Sequence, residues 1–316
     1  MPKWLKTAPK HSKMNEIAYH IPALLPQTLE ALDIRPGGIY VDATFGGGGH
    51  SRAIVERLDA SGHLYGFDQD DEAVERAFTD GRFTIVYSNF RYIRNWMRFY
   101  GVDALDGVLA DLGVSFHHFD DSSRGFSFRF DSPLDMRMNR HAAHTAAWIL
   151  ANYSAEQIAT LFKLYGELRH AGLMAKAIVD SREGGRPVAT VGQLLELMKP
   201  FINPRQEKKE LAQLFQALRI EVNGELDALR SFLTSALDLL RPGGRLAIIT
   251  YHSLEDRLVK NFMRSGNFEG KVETDFYGRR TAPVKPLGSK AIVPDQEEID
   301  RNPRSRSAKL RVGIKL

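Results

Sequence analysis

Short apolar segments alternate with helical patterns along the first 111 residues of this chain of 316, and the alternation returns after about residue 220. Five of these segments are rich in the β-branched and aromatic residues that favour strands. They lie at 39–42, 64–67, 84–87, 107–111 and 245–250. Strands separated by helices pair in parallel, and helices cover both faces of such a sheet. The pattern therefore predicts an α/β fold with a doubly wound, mainly parallel sheet.

The middle of the chain does not follow this alternation. Residues 112–140 are polar, aromatic and glycine-rich, which is typical of a long functional loop, and helical patterns follow as far as about residue 221. We expect one discontinuous sheet domain, an inserted helical domain and a basic N-terminal extension. The expected bounds are 20–115 with 220–316 for the sheet domain, 116–219 for the insertion and 1–19 for the extension. Two extended segments near 290–292 and 308–312 are expected to pair at a sheet edge.

Composition narrows the possible classes of protein. No stretch approaches 18 apolar residues, so we predict no membrane-spanning helix, and the basic N-terminus lacks the apolar part of a signal peptide, which favours the cytoplasm. The absence of cysteine excludes disulfides, thiolate metal sites and a cysteine nucleophile. The net charge of +4 is unevenly spread, since residues 21–111 carry −6 and the last 46 residues carry +5. The basic parts favour a polyanionic partner.

The first predicted strand ends in a glycine-rich turn, Gly46 to Gly49, that leads into a helix. Glycine lets the backbone approach a ligand closely, and the helix N-terminus offers backbone N–H donors. Asp68 lies 20 residues beyond Gly48, at the end of the second strand. A carboxylate at this place can accept both hydroxyls of a ribose. The two features together predict a cofactor that contains adenosine.

The turn also distinguishes between cofactors. It lacks the G-x-G-x-x-G pattern of dinucleotide enzymes, and the chain has no G-x-x-x-x-G-K-[ST] phosphate loop. Asp42, just before the turn, is poorly placed for a pyrophosphate but suits a cationic amino acid. S-adenosylmethionine has both a ribose and such an amino-acid end, so the pattern favours it. A nicotinamide-dependent oxidoreductase is the alternative.

Seven segments agree in order and approximate spacing with one family of enzymes. They are VDATFGGGGHS (41–51), GFDQD (66–70), DGVLADLGVS (106–115), RGFSF with PLDMRM (124–128 and 133–138), FQALRIEVNGEL (215–226), RPGGRLAIITYHSLEDRLVK (241–260) and NPRSRSAKLRV (302–312). In these segments the chain resembles the bacterial 16S ribosomal RNA cytosine-N4 methyltransferases, the RsmH/MraW family.

This resemblance implies a class I S-adenosylmethionine-dependent methyltransferase fold, which is Rossmann-like, with an inserted helical substrate-recognition domain. The implied reaction is methylation of the N4 amine of a cytosine at the P site of the decoding region, cytosine 1402 in the usual 16S numbering. The implied partner is therefore 16S rRNA or the small ribosomal subunit, with no membrane. The residues leave a homodimer open, and a non-catalytic RNA-binding assembly factor on the same fold is a further alternative.

Carried over residue by residue, the resemblance implies a cofactor site of seven residues: Gly48, Gly49, His50, Asp68, Phe90, Asp111 and His118. The first three would meet the methionine end through their backbone, Asp68 the ribose and Phe90 the adenine. His118 stands in DLGVSFHHFD, where the family usually has glutamine.

Asp111, at the end of the fourth strand, is the predicted catalytic residue. The lone pair of the cytosine amine is delocalised into the ring, which makes the amine a poor nucleophile. An acceptor must therefore take a hydrogen bond from the amine N–H, so that the lone pair turns toward the methyl group, and then take the proton as the new bond forms. A strand-end carboxylate that only caps a turn is the structural alternative. Four residues are predicted to contact the RNA substrate: Arg124, Phe126, Arg137 and His252. Salt bridges, loop packing and a buried histidine are the corresponding alternatives. We predict Ser253 as the cap of the next helix and no metal site.

Overall fold

The computed structural model describes residues 22–113, 121, 123–278 and 281–316. These residues form two compact units. One unit, here the sheet unit, extends to Gly113 and resumes at Leu226, and the other, here the helical unit, lies between them in sequence and extends to Glu225. Among the described residues, no helix combines the length and the apolar character needed to cross a membrane.

A seven-stranded sheet forms the centre of the sheet unit. Its strands are β1 (Ile39–Asp42), β2 (His63–Asp68), β3 (Phe83–Tyr87), β4 (Leu105–Asp111), β5 (Leu240–Thr250), β6 (Val284–Pro286) and β7 (Lys309–Lys315). Their order is β3-β2-β1-β4-β5-β7-β6, and the first five are parallel whereas β7 pairs antiparallel with β5 and β6. The predicted doubly wound, mainly parallel sheet is confirmed.

Helices connect these strands. They are α1 (Leu25–Leu32), α2 (Gly49–Val55), α3 (Asp71–Glu75), α4 (Ile93–Phe99), α10 (Glu225–Leu239), α11 (Ser253–Ser265) and α12 (Gln296–Arg301), with 3-10 turns at Phe90–Tyr92 and Pro303–Ser307. The chain runs outward from β1 through β2 to β3 and then returns to the other side of β1 at β4. Ligands of open parallel sheets bind beyond the carboxyl ends of the strands where the order reverses in this way. A ligand site is therefore expected at the carboxyl edge of the sheet, where β1 and β4 end.

The central strand β4 shows how the core positions that edge. Its residues from Leu105 to Ala110 are all buried, because a central parallel strand is covered on both faces, and only its last residue, Asp111, is partly exposed. Leu109 of β4 and Tyr40 of the neighbouring strand β1 belong to the same apolar cluster, and each is at most 1% exposed. Asp111, the predicted catalytic residue, is thus the residue at which β4 leaves the buried core.

The C-terminal part of the sheet unit departs from the predictions in one respect and agrees in another. Strand β5 begins at Leu240, five residues earlier than predicted, because a bulge at residues 241–244 is accommodated between two runs of pairing with β4. Gly243 has a φ of +82°, a conformation that favours glycine. The expected pairing of the last two extended segments is confirmed, since Ile292 forms an antiparallel bridge with Leu310 on β7.

The helical unit is a separate core of α-helices. They are α5 (Ala146–Asn152), α6 (Ala155–Gly166), α7 (Ala171–Glu183), α8 (Val191–Met198) and α9 (Glu207–Asn223), with a 3-10 turn at Lys199–Phe201. Capping boxes fix the starts of α6 and α8, at Ser154 and Thr190. Fully buried residues such as Phe162 and Leu214 join these helices into one apolar cluster. The described part of the predicted loop before α5 contains no helix or strand.

Candidate active site at the carboxyl edge of the sheet

The glycine-rich turn after β1 has a conformation that its sequence explains. Gly46 and Gly48 have φ angles of +51° and +74°, in the left-handed region. A Cβ on Gly48 would lie 2.8 Å from Cζ of Phe45, so a larger residue would displace that buried ring. The Phe45 N–H donates to the Phe67 carbonyl at 2.8 Å. The turn therefore bends back over the end of β2, where Asp68 follows.

Asp42, the last residue of β1, stabilises this turn through hydrogen bonds. It is 1% exposed, and its carboxylate accepts hydrogen bonds from Ser51 Oγ at 2.6 Å and from the Thr44 N–H at 3.1 Å. Burial raises the pKa of Asp42 to about 6, although these hydrogen bonds oppose the rise. Asp42 therefore stabilises the turn itself, and its contact with a cationic ligand stays a prediction.

Asp68 connects the end of β2 to the same turn. Its Oδ2 accepts the Gly46 N–H and its Oδ1 accepts the Asp70 N–H, at 2.8 and 2.9 Å. A carboxylate oxygen can accept two hydrogen bonds, so an oxygen that holds a backbone N–H can also accept a ribose hydroxyl. Phe90 lies just after β3 at the same edge, half-buried, with its ring edge-to-face against Phe232 at 5.1 Å.

Asp111 is held at this edge by contacts with Tyr251 and Thr44. Its Oδ1 accepts a hydrogen bond from the Tyr251 hydroxyl at 2.8 Å, and its backbone N–H donates to Thr44 Oγ1 at 2.6 Å. Its Oδ2 lies 3.8 Å from Nδ1 of His50, which is too far for a hydrogen bond. The side chain is 22% exposed. One oxygen is therefore oriented by Tyr251, and the other can accept from a ligand.

The electrostatics of Asp111 suit an acceptor that works near neutral pH. Burial raises its pKa to about 7, the hydrogen bond from Tyr251 lowers it, and the charges of Asp42 and Glu255 raise it further. The charge of Asp68 in turn raises the pKa of Asp42. The carboxylates of this edge therefore repel one another, and such a site favours a cationic ligand over an anionic one.

His50 contributes a side chain where only its backbone was expected to act. The ring is 5% exposed, and Nε2 lies 3.1 Å from the Ala23 carbonyl. A carbonyl can only accept, so Nε2 carries the proton and Nδ1 presents its lone pair toward Asp111. Burial lowers the pKa of His50 to about 4, so the ring is neutral at neutral pH. It therefore does not act as a counter-ion for Asp111.

Tyr251 was not predicted as a site residue. Its N–H donates to Glu255 Oε2 at 3.1 Å, and burial raises the pKa of its hydroxyl well above the usual range, so the hydroxyl stays a donor. The sequence offered one signal, which is the position of Tyr251 directly after the predicted strand 245–250. In the structure Asp111 pairs with Ile249 of β5, and Tyr251 lies two residues beyond Ile249.

His252 caps the helix that follows. Its Nδ1 accepts the Glu255 N–H at 3.5 Å, and its Nε2 lies 3.1 Å from Glu255 Oε1. The predicted cap, Ser253, is instead the first residue of α11 and is exposed. This prediction is wrong because the helix begins one residue earlier. Contact of His252 with substrate stays a prediction.

The remaining predicted residues lie elsewhere. Arg124 is 5% exposed and donates through Nη2 to the carbonyls of Arg137 and Met138 at 2.6 and 3.2 Å. Phe126 is 3% exposed within the core of the helical unit, and Arg137 pairs with Asp135 at 2.8 Å. These contacts agree with the structural alternatives, which are salt bridges and packing. RNA binding by these three residues stays a prediction. His118 lies outside the described residues.

Comparison with family models and with known relatives identifies one family. Residues 17–316 match the model of the MraW methylase family. A protein of Parabacteroides distasonis named ribosomal RNA small subunit methyltransferase H is 60% identical over 299 residues, which cover 94% of this chain and 98% of that protein. Its namesake in Phocaeicola vulgatus is 57% identical over 297 residues, with 94% and 97% covered. Among solved structures, an rRNA methylase from Streptococcus thermophilus is 12% identical with a TM-score of 0.38, and 92% and 93% of the two chains are covered.

Proposed function

Since this chain belongs to the MraW methylase family, we propose that it methylates the N4 amine of a cytosine in the decoding region of small-subunit ribosomal RNA. The family membership establishes a class I methyltransferase that uses S-adenosylmethionine, and it removes the nicotinamide-dependent alternative. The proposal of methylation at the N4 amine rests on the carboxylate of Asp111. Tyr251 orients this carboxylate at the carboxyl ends of the strands, where the strand order reverses. A ribosomal RNA substrate also agrees with the cytoplasmic location predicted from the sequence.

The residues at this edge fit the cofactor. S-adenosylmethionine combines a ribose with two hydroxyl donors and a sulfonium cation. Asp68 presents its carboxylate beside the glycine turn, and the mutually repelling carboxylates of Asp42, Asp68 and Asp111 favour a positive ligand. We assign the ribose to Asp68, the methionine end to the backbone of Gly48, Gly49 and His50, and the adenine to Phe90. When bound, the cofactor would supply an electrophilic methyl group, and loss of that group would break one S–C bond and leave a neutral thioether.

Proton removal is the task that remains for the protein. Methylation of an exocyclic amine forms one N–C bond and replaces one hydrogen on nitrogen, which leaves as a proton. Oδ2 of Asp111 is the acceptor in our proposal, because Oδ1 is already bonded to Tyr251. A pKa of about 7 lets this carboxylate be ionised at neutral pH and still take up a proton. By accepting a hydrogen bond from the amine N–H, the Asp111 carboxylate also turns the nitrogen lone pair out of conjugation with the ring.

Tyr251 and His50 act on Asp111 and not on the substrate. The Tyr251 hydroxyl fixes the plane of the carboxylate and stabilises its ionised form. The neutral His50 ring fills the space beside Oδ2 and leaves the charge of Asp111 without a cationic partner there. The carboxylate therefore retains the basicity that a salt bridge would lower.

The test is methyl transfer to small ribosomal subunits from cells that lack this enzyme. Purified full-length protein and labelled S-adenosylmethionine are incubated with the subunits. The ribosomal RNA is cut into fragments, and each labelled fragment is identified by mass and then digested to nucleosides for mass spectrometry. We expect the label in N4-methylcytidine from one decoding-region fragment. Label in another nucleoside would refute the assignment to N4, and an absence of label would favour the non-catalytic assembly factor.

A further inference from the structure

The exposed apolar side chains of this protein are concentrated in one short segment. Among the described residues, twelve large hydrophobic side chains are exposed, and five of them fall within residues 276–293: Phe276, Tyr277, Leu287, Ile292 and Val293. Phe276 is 97% exposed and Tyr277 is 80% exposed, the two highest values of the twelve. Clustered exposed hydrophobic side chains mark surfaces that meet a partner.

These two rings lie on a turn whose backbone is closed by hydrogen bonds. In the aromatic turn, residues 273–278, the side chain of Asp275 accepts the Tyr277 N–H and its carbonyl accepts the Gly278 N–H, both at 2.9 Å. The Glu273 carbonyl accepts the Thr281 N–H at 3.1 Å. The rings are edge-to-face, with centroids 5.6 Å apart. The turn thus displays two aromatic faces at solvent, and neither ring is packed into the core.

The charge around the turn is basic. Residues 271–290 contain five basic side chains and two acidic ones. Lys271, Lys285 and Lys290 are all exposed. Exposed rings in a segment with exposed lysines are a combination by which proteins bind single-stranded nucleic acid, because bases stack on the rings and phosphates attract the cations. The described residues here form turns and a short strand, whereas a membrane-surface segment is typically an amphipathic helix.

We propose that the aromatic turn is an RNA-contacting surface, on which unpaired bases of the substrate stack against Phe276 and Tyr277. The exposed lysines of residues 271–290 contact the phosphates of the same strand. This inference rests on the proposed function, because that function supplies the RNA. It adds a surface in the sheet unit that neither the sequence motifs nor the family match assigns to RNA.

The test measures RNA binding separately from catalysis. Fluorescence anisotropy with a labelled single-stranded RNA of about ten nucleotides compares wild-type protein with F276A, Y277A and the double variant. We expect each ring removed to weaken binding about tenfold, since base stacking contributes on the order of 1–3 kcal/mol per base. The slope of affinity against salt concentration should stay unchanged in these variants. It should fall in K271A and K285A, because only these remove a phosphate contact.

Two variants serve as matched controls. Y277F keeps the ring and should bind RNA like wild type, and F99A removes another exposed ring, 74% exposed on α4, and should also bind normally. S-adenosylhomocysteine affinity, measured by calorimetry, shows that the sheet unit of each variant is intact.

Unchanged RNA affinity in the double variant would overturn the inference even if wild type forms N4-methylcytidine. Loss of binding to phosphatidylglycerol vesicles without loss of RNA affinity would overturn it in favour of a membrane contact. If wild type binds RNA through these rings but forms no N4-methylcytidine, the proposed function fails and the surface assignment stands.

Discussion

The hydroxyl of Tyr251 donates a hydrogen bond of 2.8 Å to Oδ1 of Asp111, and this contact joins the carboxyl ends of β5 and β4. The donor lowers the pKa of a carboxylate that burial raises to about 7. Tyr251 therefore sets two properties of Asp111, its orientation and the pH above which it is ionised.

Substitution Y251F should change the pH dependence of methyl transfer. Without the donor, the pKa of Asp111 rises above about 7, by about one unit if the lost bond is worth 1–2 kcal/mol. Because Asp111 must be ionised to accept a proton, the rising limb of kcat/KM for the methyl donor moves to higher pH. The loss of activity is then larger at about pH 6 than at about pH 9. A uniform loss at every pH would show that Tyr251 only supports the local structure.

Substitution D68N should weaken the cofactor complex. Asp68 accepts two backbone N–H groups, and the amide of asparagine would place a donor against one of them while removing charge from the ribose site. We expect S-adenosylhomocysteine affinity to fall at least about tenfold by calorimetry. D103N removes an exposed carboxylate before β4 and is the control. Equal affinity of D68N and D103N would remove Asp68 from the ribose site.

Substitution T44V should destabilise the sheet unit without removing a catalytic group. Thr44 Oγ1 accepts the Asp111 N–H at 2.6 Å, and valine would leave that N–H without its acceptor. The expected loss of unfolding free energy is about 1–3 kcal/mol. T44S keeps the hydroxyl and should lose clearly less. Equal losses in denaturant titrations of the two variants would assign the effect to packing of the methyl group.

Substitution D111N should stabilise the protein at alkaline pH. The pKa of Asp111 is raised from 3.8 to about 7, so between these values the folded state binds more protons than the unfolded state, and this group's contribution to stability falls as pH rises. Asparagine has no such penalty. The variant should exceed wild type by on the order of 1 kcal/mol or more above about pH 8, and the difference should vanish near pH 4. A variant less stable than wild type at high pH would contradict the raised pKa.

The sequence predicts the sheet and the glycine turn well because their signals are local. Apolar segments of four or five residues mark β1 to β4, and Gly46 and Gly48 stand where the turn has positive φ. The start of β5 was missed because a bulge extends its pairing with β4 past Pro242 and the two glycines.

The side-chain contacts of the site were not predictable in the same way. Whether Tyr251 reaches Asp111 depends on the register of two strands that are far apart in sequence, and whether the His50 ring faces Asp111 depends on the position of Ala23. Ser253 is the better cap by residue preference. Glu255 instead binds the Tyr251 N–H, and the helix begins directly after His252.

In the proposed reaction, Asp111 accepts the proton of the cytosine amine. The most direct measurement is single-turnover methyl transfer to unmodified small subunits by D111N at saturating S-adenosylmethionine, beside D103N. We expect D111N to lose transfer by at least about a hundredfold while its S-adenosylhomocysteine affinity stays within about tenfold of wild type, and D103N to behave as wild type. Transfer by D111N at the wild-type rate would show that Asp111 is not the proton acceptor.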